Sequence, residues 1–137
     1  MPTRPVPPSE WRDPRHRHGL WGEREAIRHL VALGWRVEAH RFRLGRHDVD
    51  LIVRLGHQVA FVEVKTRSGT GYGTGAEAVR WAKRRSIARV AAVWRLRHGR
   101  PADVYRFDVL TVWGDGRGPA RVEHLADAWR LDRWSAV

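Results

Sequence analysis

The chain of 137 residues contains no cysteine, which removes disulfides, thiolate metal sites and cysteine nucleophiles from consideration and fits a reducing compartment. Lysine is almost absent as well: Lys65 and Lys83 are the only two among 26 lysine and arginine residues. No window approaches the ~18 consecutive apolar residues that a membrane-spanning helix needs, and the proline-rich start has no apolar stretch of the secretory kind. The expectation is a cytoplasmic protein with no membrane partner, one domain by length, burying roughly two-thirds of its unfolded surface.

Acid is scarce relative to base. Fifteen acidic residues leave a net charge of +11, a balance that draws polyanions and points to nucleic acid; an arginine-rich compositional habit is the plainer explanation. Where every other basic residue is arginine, a lysine inside a strand suggests that the compact ammonium itself is needed.

Residues 1–17 hold five of the seven prolines and show no period, so they read as a flexible Pro/Arg-rich arm ahead of a single α/β domain over 18–137. Apolar spacing of Leu20, Ile27, Leu30 and Val31 predicts a helix over 18–33, stopped by Gly34. Strands are expected over 35–43, 48–55 and 58–66, a mobile glycine-rich loop over 68–75, and a long helix over 76–97. A strand over 104–113, a turn, a short strand over 121–125 and a helical piece over 126–134 complete the order α-β-β-β-α-β-β, a mixed sheet flanked by helices.

DVDLIVRLGHQVAFVEVK, residues 48–65, is a hairpin whose alternation brings charges together. Centred between Gly56 and His57, it sets Asp50 opposite Glu63 and Asp48 opposite Lys65, all on the side away from Leu51, Val62 and Val64. Two carboxylates facing each other across a ladder repel unless a cation or proton lies between them. Hard oxygen donors with no histidine or cysteine among them suit Mg²⁺ or Mn²⁺. Glu23 lies within the apolar stripe of the first helix and is expected to face the sheet and this site. The bland reading of the same residues is a water-facing strand pair with an Asp48–Lys65 ion pair.

GLWGEREAIRHLVALGWRV, FVEVKTR, Lys83, RFDVL and HLADAW stand in the order of the blocks of the YraN family of uncharacterised bacterial proteins, which the chain resembles over about residues 19–130. That family is similar in fold to archaeal Holliday junction resolvases, within the restriction-endonuclease-like PD-(D/E)XK superfamily. The resemblance implies Asp50 as the D, Glu63 and Lys65 as the E-x-K, and Glu23 as the first-helix acid. Where the family reads G-E-I-D-L-I this chain has His47, Asp48, Val49 and Asp50, so Asp48 supports the site as a shortened acid and His47 adds bulk. Asp50, Glu63 and the Val64 carbonyl would hold Mg²⁺ or Mn²⁺, Glu23 a second metal or its water shell, and Lys65 the attacking water or the charge on the phosphate. The implied function is metal-dependent hydrolysis of phosphodiester bonds in DNA, branched DNA included, or in RNA, with DNA ahead. Resolvases work as symmetric pairs, which leaves room for a homodimer.

Arg67, Arg80, Lys83, Arg84 and Arg85 are the expected nucleic-acid contacts, with Arg89 and Arg95 further along the same helix; a solvated helix face is the alternative. Lys83 differs in falling on the sheet-facing stripe, where its stem can pack while the ammonium reaches the cleft. Trp35, Trp81, Trp94 and Trp113 read as core or half-buried, and Trp11 and Trp21 as candidates for base stacking. Two rival functions come from other classes: a nucleic-acid-binding module that keeps the fold without turnover, and a nucleotide-binding enzyme suggested by the G-x-G-x-x-A at 71–76. The second lacks the acid expected about 20 residues on.

Overall fold

The computed structural model describes residues 14–69 and 81–130. The arm before residue 14, the loop residues 70–75, the first turn expected for the second helix, and Arg80 lie outside them, as do residues 131–134.

Helix α1 (Pro14–Ala32) leads into strands β1 (Arg36–Leu44), β2 (His47–Leu55) and β3 (Gln58–Arg67), followed by helix α2 (Trp81–His98) and strands β4 (Val104–Trp113) and β5 (Arg121–Trp129). The expected order α-β-β-β-α-β-β and mixed sheet are what the structure has. The five strands lie side by side in chain order. All neighbours are antiparallel except β3 and β4, which run parallel; a parallel pair needs a long crossover, and α2 lies on that crossover.

Two cores sit on the two faces. Ala26 and Leu30 of α1 pack with Leu51, Val53, Val62 and Leu110. Ile87, Val90, Ala91 and Trp94 of α2 pack with Ile52, Phe61 and Phe107 on the other. Trp35 and Trp94 are buried and Trp113 half-buried, as their periodic positions predict. No helix among the described residues is long and apolar enough to cross a membrane.

Two sequence expectations change. Helix α1 begins at Pro14, so the last residues assigned to the arm are helical; proline suits a first turn because its missing N–H has no partner there anyway. Residues 126–129, expected as helix, extend β5 instead. Here β5 holds three residues, 126–128, against Asp108 alone on β4. Asp127 takes φ 52 and its N–H donates to Asp108 Oδ1 at 2.9 Å. Beyond this bulge Trp129 stacks on Phe107 with ring centroids 3.9 Å apart, and that burial overrides the local helical tendency.

Candidate active site

The β2–β3 register has the expected centre: Leu55 pairs with Gln58 and Leu51 with Val62. Regular pairing stops there. Asp50 closes the next position with its side chain, Oδ2 accepting a hydrogen bond from the Val64 N–H at 2.8 Å. Asp48 does not pair across to Lys65 as the hairpin geometry suggested; its register partner is Arg43 of β1, and its carboxylate takes the Lys83 ammonium at 3.3 Å. Lys65 makes no ion pair among the described residues, so the bland Asp48–Lys65 salt bridge is absent.

The reason lies at Asp50. Leu51 and Val53 pack on the α1 side, yet Val49 packs with Ile52 on the α2 side, so the strict two-residue alternation fails between Val49 and Leu51. On β1, Arg41 sits between the pairs His40↔Leu51 and Phe42↔Val49 and adopts φ 56, an uncommon conformation for a residue with a Cβ. Its guanidinium then reaches α1, donating to Glu23 Oε2 at 2.6 Å and Oε1 at 3.3 Å, while His40 Nε2 lies 3.6 Å from Oε2.

Glu23 does face the sheet and is buried. It reaches that depth because α1 lies close on β3 at Gly22, where any Cβ would overlap the Thr66 side chain. Burial alone would raise its carboxyl, but hydrogen bonds from His40 and Arg41 outweigh it and hold Glu23 below the ordinary carboxylate value. It is an anion committed to two basic partners on β1.

Asp50 and Glu63 are in the opposite condition. Burial, then the Glu63 charge, push the Asp50 carboxyl well above its ordinary value, with Glu23 adding to the push against the Val64 N–H. Burial likewise raises Glu63, against the pull of Lys83. The two side chains act on each other, the Glu63 charge raising Asp50 and a hydrogen bond from Asp50 lowering Glu63, and Glu63 Oε2 is buried with no other hydrogen-bond partner among the described residues. Neighbouring buried carboxyls with an orphaned oxygen are the donor set a hard divalent cation fits. Among the described residues no three histidine, aspartate or glutamate side chains converge as metal ligands.

A cleft of about 440 Å³ opens beside the pair, lined by His18, Gly19 and residues 63–67. Lys65 and Arg67 supply positive charge there. His18 is fixed by its Nε2 contact to the Gly114 carbonyl at 2.9 Å and by stacking on Trp21; that ring contact, with Gly114 packed against the indole, occupies one face of the Trp21 ring that was a stacking candidate. On the α2 side, His47 Nδ1 meets Ser86 Oγ at 2.8 Å, so the residue that departs from the family pattern ties β2 to the helix carrying Lys83.

Of the expected nucleic-acid contacts, Arg85 is exposed, as is Arg89. Arg84 instead lies half-buried with its guanidinium 5.7 Å from the Trp129 ring centre, and Arg95 lies over Tyr105. The sequence reading missed Arg41 and His40. Their signal was present in the basic run His40 to Arg43, which registers against Asp50 once β1 is paired with β2.

Residues 22–112 match the model of the uncharacterised protein family UPF0102. The chain belongs to the UPF0102 family. A UPF0102 protein of Frankia casuarinae is 44% identical over 111 residues, covering 81% of this chain and 94% of the relative. A second, from a Parafrankia strain, is 42% identical over 113 residues, 82% and 96% of the two chains. One from Symbiobacterium thermophilum is 40% identical over 113 residues with the same coverage. The UPF0102 match begins at Gly22, so Glu23, Asp50, Glu63, Lys65 and Lys83 all fall inside it.

Proposed function

We propose that this protein is a metal-dependent nuclease that hydrolyses phosphodiester bonds in DNA, branched DNA included, or in RNA. The observation that carries the reading is the Asp50–Glu63 pair, two carboxyls pushed upward by burial, Asp50 also by the Glu63 charge and Glu63 by that of Asp48, with Glu63 Oε2 orphaned. Asp50, Glu63 and the Val64 carbonyl would hold Mg²⁺ or Mn²⁺. Such a cation polarises a phosphate and lowers the pKa of a water in reach.

The chain's own groups supply the rest. The Val64 N–H fixes the Asp50 carboxylate, so the pair is oriented before any ligand arrives. Lys65, in no ion pair among the described residues, is placed to meet the negative charge that grows on a phosphate during attack. The Arg41–Glu23 pair braces β1 against α1 behind Asp50, a change from the expected second-metal role of Glu23. The cleft at His18 and Gly19, about 440 Å³, lies beside Glu63 and Lys65, and the net charge of +11 favours the approach of a phosphodiester backbone. A homodimer and a cytoplasmic location remain part of the proposal.

One observation favours the non-catalytic binding module: Glu23 is neutralised by basic partners, which leaves a two-carboxylate site. Incubating the purified chain with branched, duplex and single-stranded DNA and RNA, in Mg²⁺, Mn²⁺ or EDTA, separates the two. Metal-dependent cleavage that Glu63→Gln abolishes supports the nuclease; tight binding with no cleavage under any condition supports the module.

A further inference from the structure

Both lysines of this chain stand beside Glu63, but they are differently engaged. Lys65 opens on the cleft and makes no ion pair among the described residues. Lys83 comes in from α2, its Nζ 3.3 Å from Asp48 Oδ1 and 4.0 Å from Glu63 Oε1. Burial pulls its ammonium down, and the Glu63 and Asp48 charges more than restore it. Its side chain is 36% exposed and that of Asp48 44%, against 17% for Glu63, so Lys83 spans from the mouth of the site to its interior. We propose that Lys83 is the internal counter-ion of the metal-free site, and that a divalent cation seated on Asp50 and Glu63 releases it to bind a nucleic-acid phosphate.

This release rests on the metal-site reading above and adds a coupling to it. Two cations on Glu63 repel each other, so an arriving metal drives the ammonium outward, toward the more exposed Asp48. The movement is short, because Asp48 is already its hydrogen-bond partner. A lysine suits this exchange: it is a point charge on a flexible stem, whereas a guanidinium would grip the carboxylates through a rigid fork. That accounts for a lysine at this place in a chain that otherwise uses arginine. Because coupling between two ligands is reciprocal, bound nucleic acid should tighten the metal by the same factor.

The test measures binding, not turnover. Anisotropy of a fluorescein-labelled four-way DNA junction is recorded with the full chain in Ca²⁺ and in EDTA at matched ionic strength, and Ca²⁺ alone is titrated by calorimetry. In the wild type Ca²⁺ should tighten junction binding by about tenfold. Lys83→Gln should lose most of that gain, change the EDTA affinity less than about twofold, and bind Ca²⁺ alone as tightly as wild type or tighter. Arg85→Gln, on the exposed face, should weaken both states equally. Equal weakening of both states by Lys83→Gln makes Lys83 an ordinary phosphate contact and overturns the inference, as does weaker Ca²⁺ binding by that variant. Absence of Ca²⁺ binding by the wild type would overturn the metal reading itself and this inference with it.

Discussion

Asp50 Oδ2 accepts the Val64 N–H at 2.8 Å, one step beyond the last paired residues of β2 and β3. A side chain therefore takes over where the backbone ladder ends, and the carboxylate is locked by the strand that carries Glu63 and Lys65. The two strands part at this point, and the cleft along residues 63–67 lies beside it.

Asp50→Asn keeps an oxygen that can accept from Val64 and removes the repulsion with Glu63. Metal-free stability should be equal or higher, by up to about 1 kcal/mol, while the thermal shift that Mn²⁺ gives the wild type should vanish; Glu63→Gln should behave alike. Marked destabilisation of both metal-free variants would show that the carboxylates serve the fold.

Because Asp50 and Glu63 are raised in the folded state, the folded form holds their proton more tightly than the unfolded chain does. This stabilising effect is complete below the ordinary carboxylate value of about 4 and is lost as pH rises through the raised values. A cation must displace that proton, so Mn²⁺ affinity should climb with pH across the same interval. Calorimetry in buffers of different ionisation enthalpy should register proton release on binding, and Glu63→Gln should reduce it. A pH-independent affinity contradicts the raised carboxyls.

Lys65→Arg preserves charge but sets a broader, forked head beside Glu63. An exposed ion pair would lose only about 0–1 kcal/mol. Metal-dependent cleavage should instead fall at least ~10²-fold while folding and nucleic-acid affinity hold, the loss typical of one electrostatic interaction with the transition state. Undiminished cleavage would remove Lys65 from the chemistry.

Charge reversal on the exposed face of α2, Arg85→Glu with Arg89→Glu, should flatten the fall of nucleic-acid affinity with salt. Each phosphate that the helix no longer neutralises lowers the logarithmic slope by about 0.9 on duplex DNA. An unaltered slope places the ligand on another surface.

At the other end of the sheet Arg54, 5% exposed, forms two hydrogen bonds to the fully buried carboxylate of Asp103, at 2.6 and 2.8 Å. Arg54, with help from the Arg100 N–H, holds Asp103 well below its ordinary value despite burial. That contribution is present above the unfolded value and is lost as pH falls toward the folded one. Asp103→Ala should cost about 3–5 kcal/mol in denaturant unfolding, because it takes the two-point carboxylate partner from a buried guanidinium. A loss under about 1 kcal/mol would mean that Glu38, which also accepts from Arg54 at 2.7 Å, suffices alone.

The element order was legible from apolar periodicity, and the hairpin centre because period-two alternation and the Leu-Gly-His-Gln turn fix register together. The approach of Asp50 to Glu63 followed from that register. Its failure at Asp48 did not, since nothing local marks Arg41 as a left-handed residue; the conformation is sustained by Glu23, 18 positions earlier and on another element. The strand at 126–129 was hidden for a similar reason: Ala126 to Trp129 is helix-compatible by itself, and the Phe107 ring and the Asp108 carboxylate that make it a strand lie on β4. Lys83 was placed at the cleft by helical spacing, while its hold on Asp48 depended on how α2 lies over β2.

Both bulges fall on outer strands, Glu38 being the extra residue of β1 and two of residues 126–128 the extra ones of β5. Flat, regular edges invite further strands from other chains; kinked edges bearing charge resist it. Arg36, Glu38 and Arg43 on β1, and Arg121, Glu123 and Asp127 on β5, supply that charge. The sheet is therefore closed to growth at its margins, which guards a basic, concentrated protein against fibrillar self-association and leaves its helix-covered faces and cleft as the surfaces for assembly.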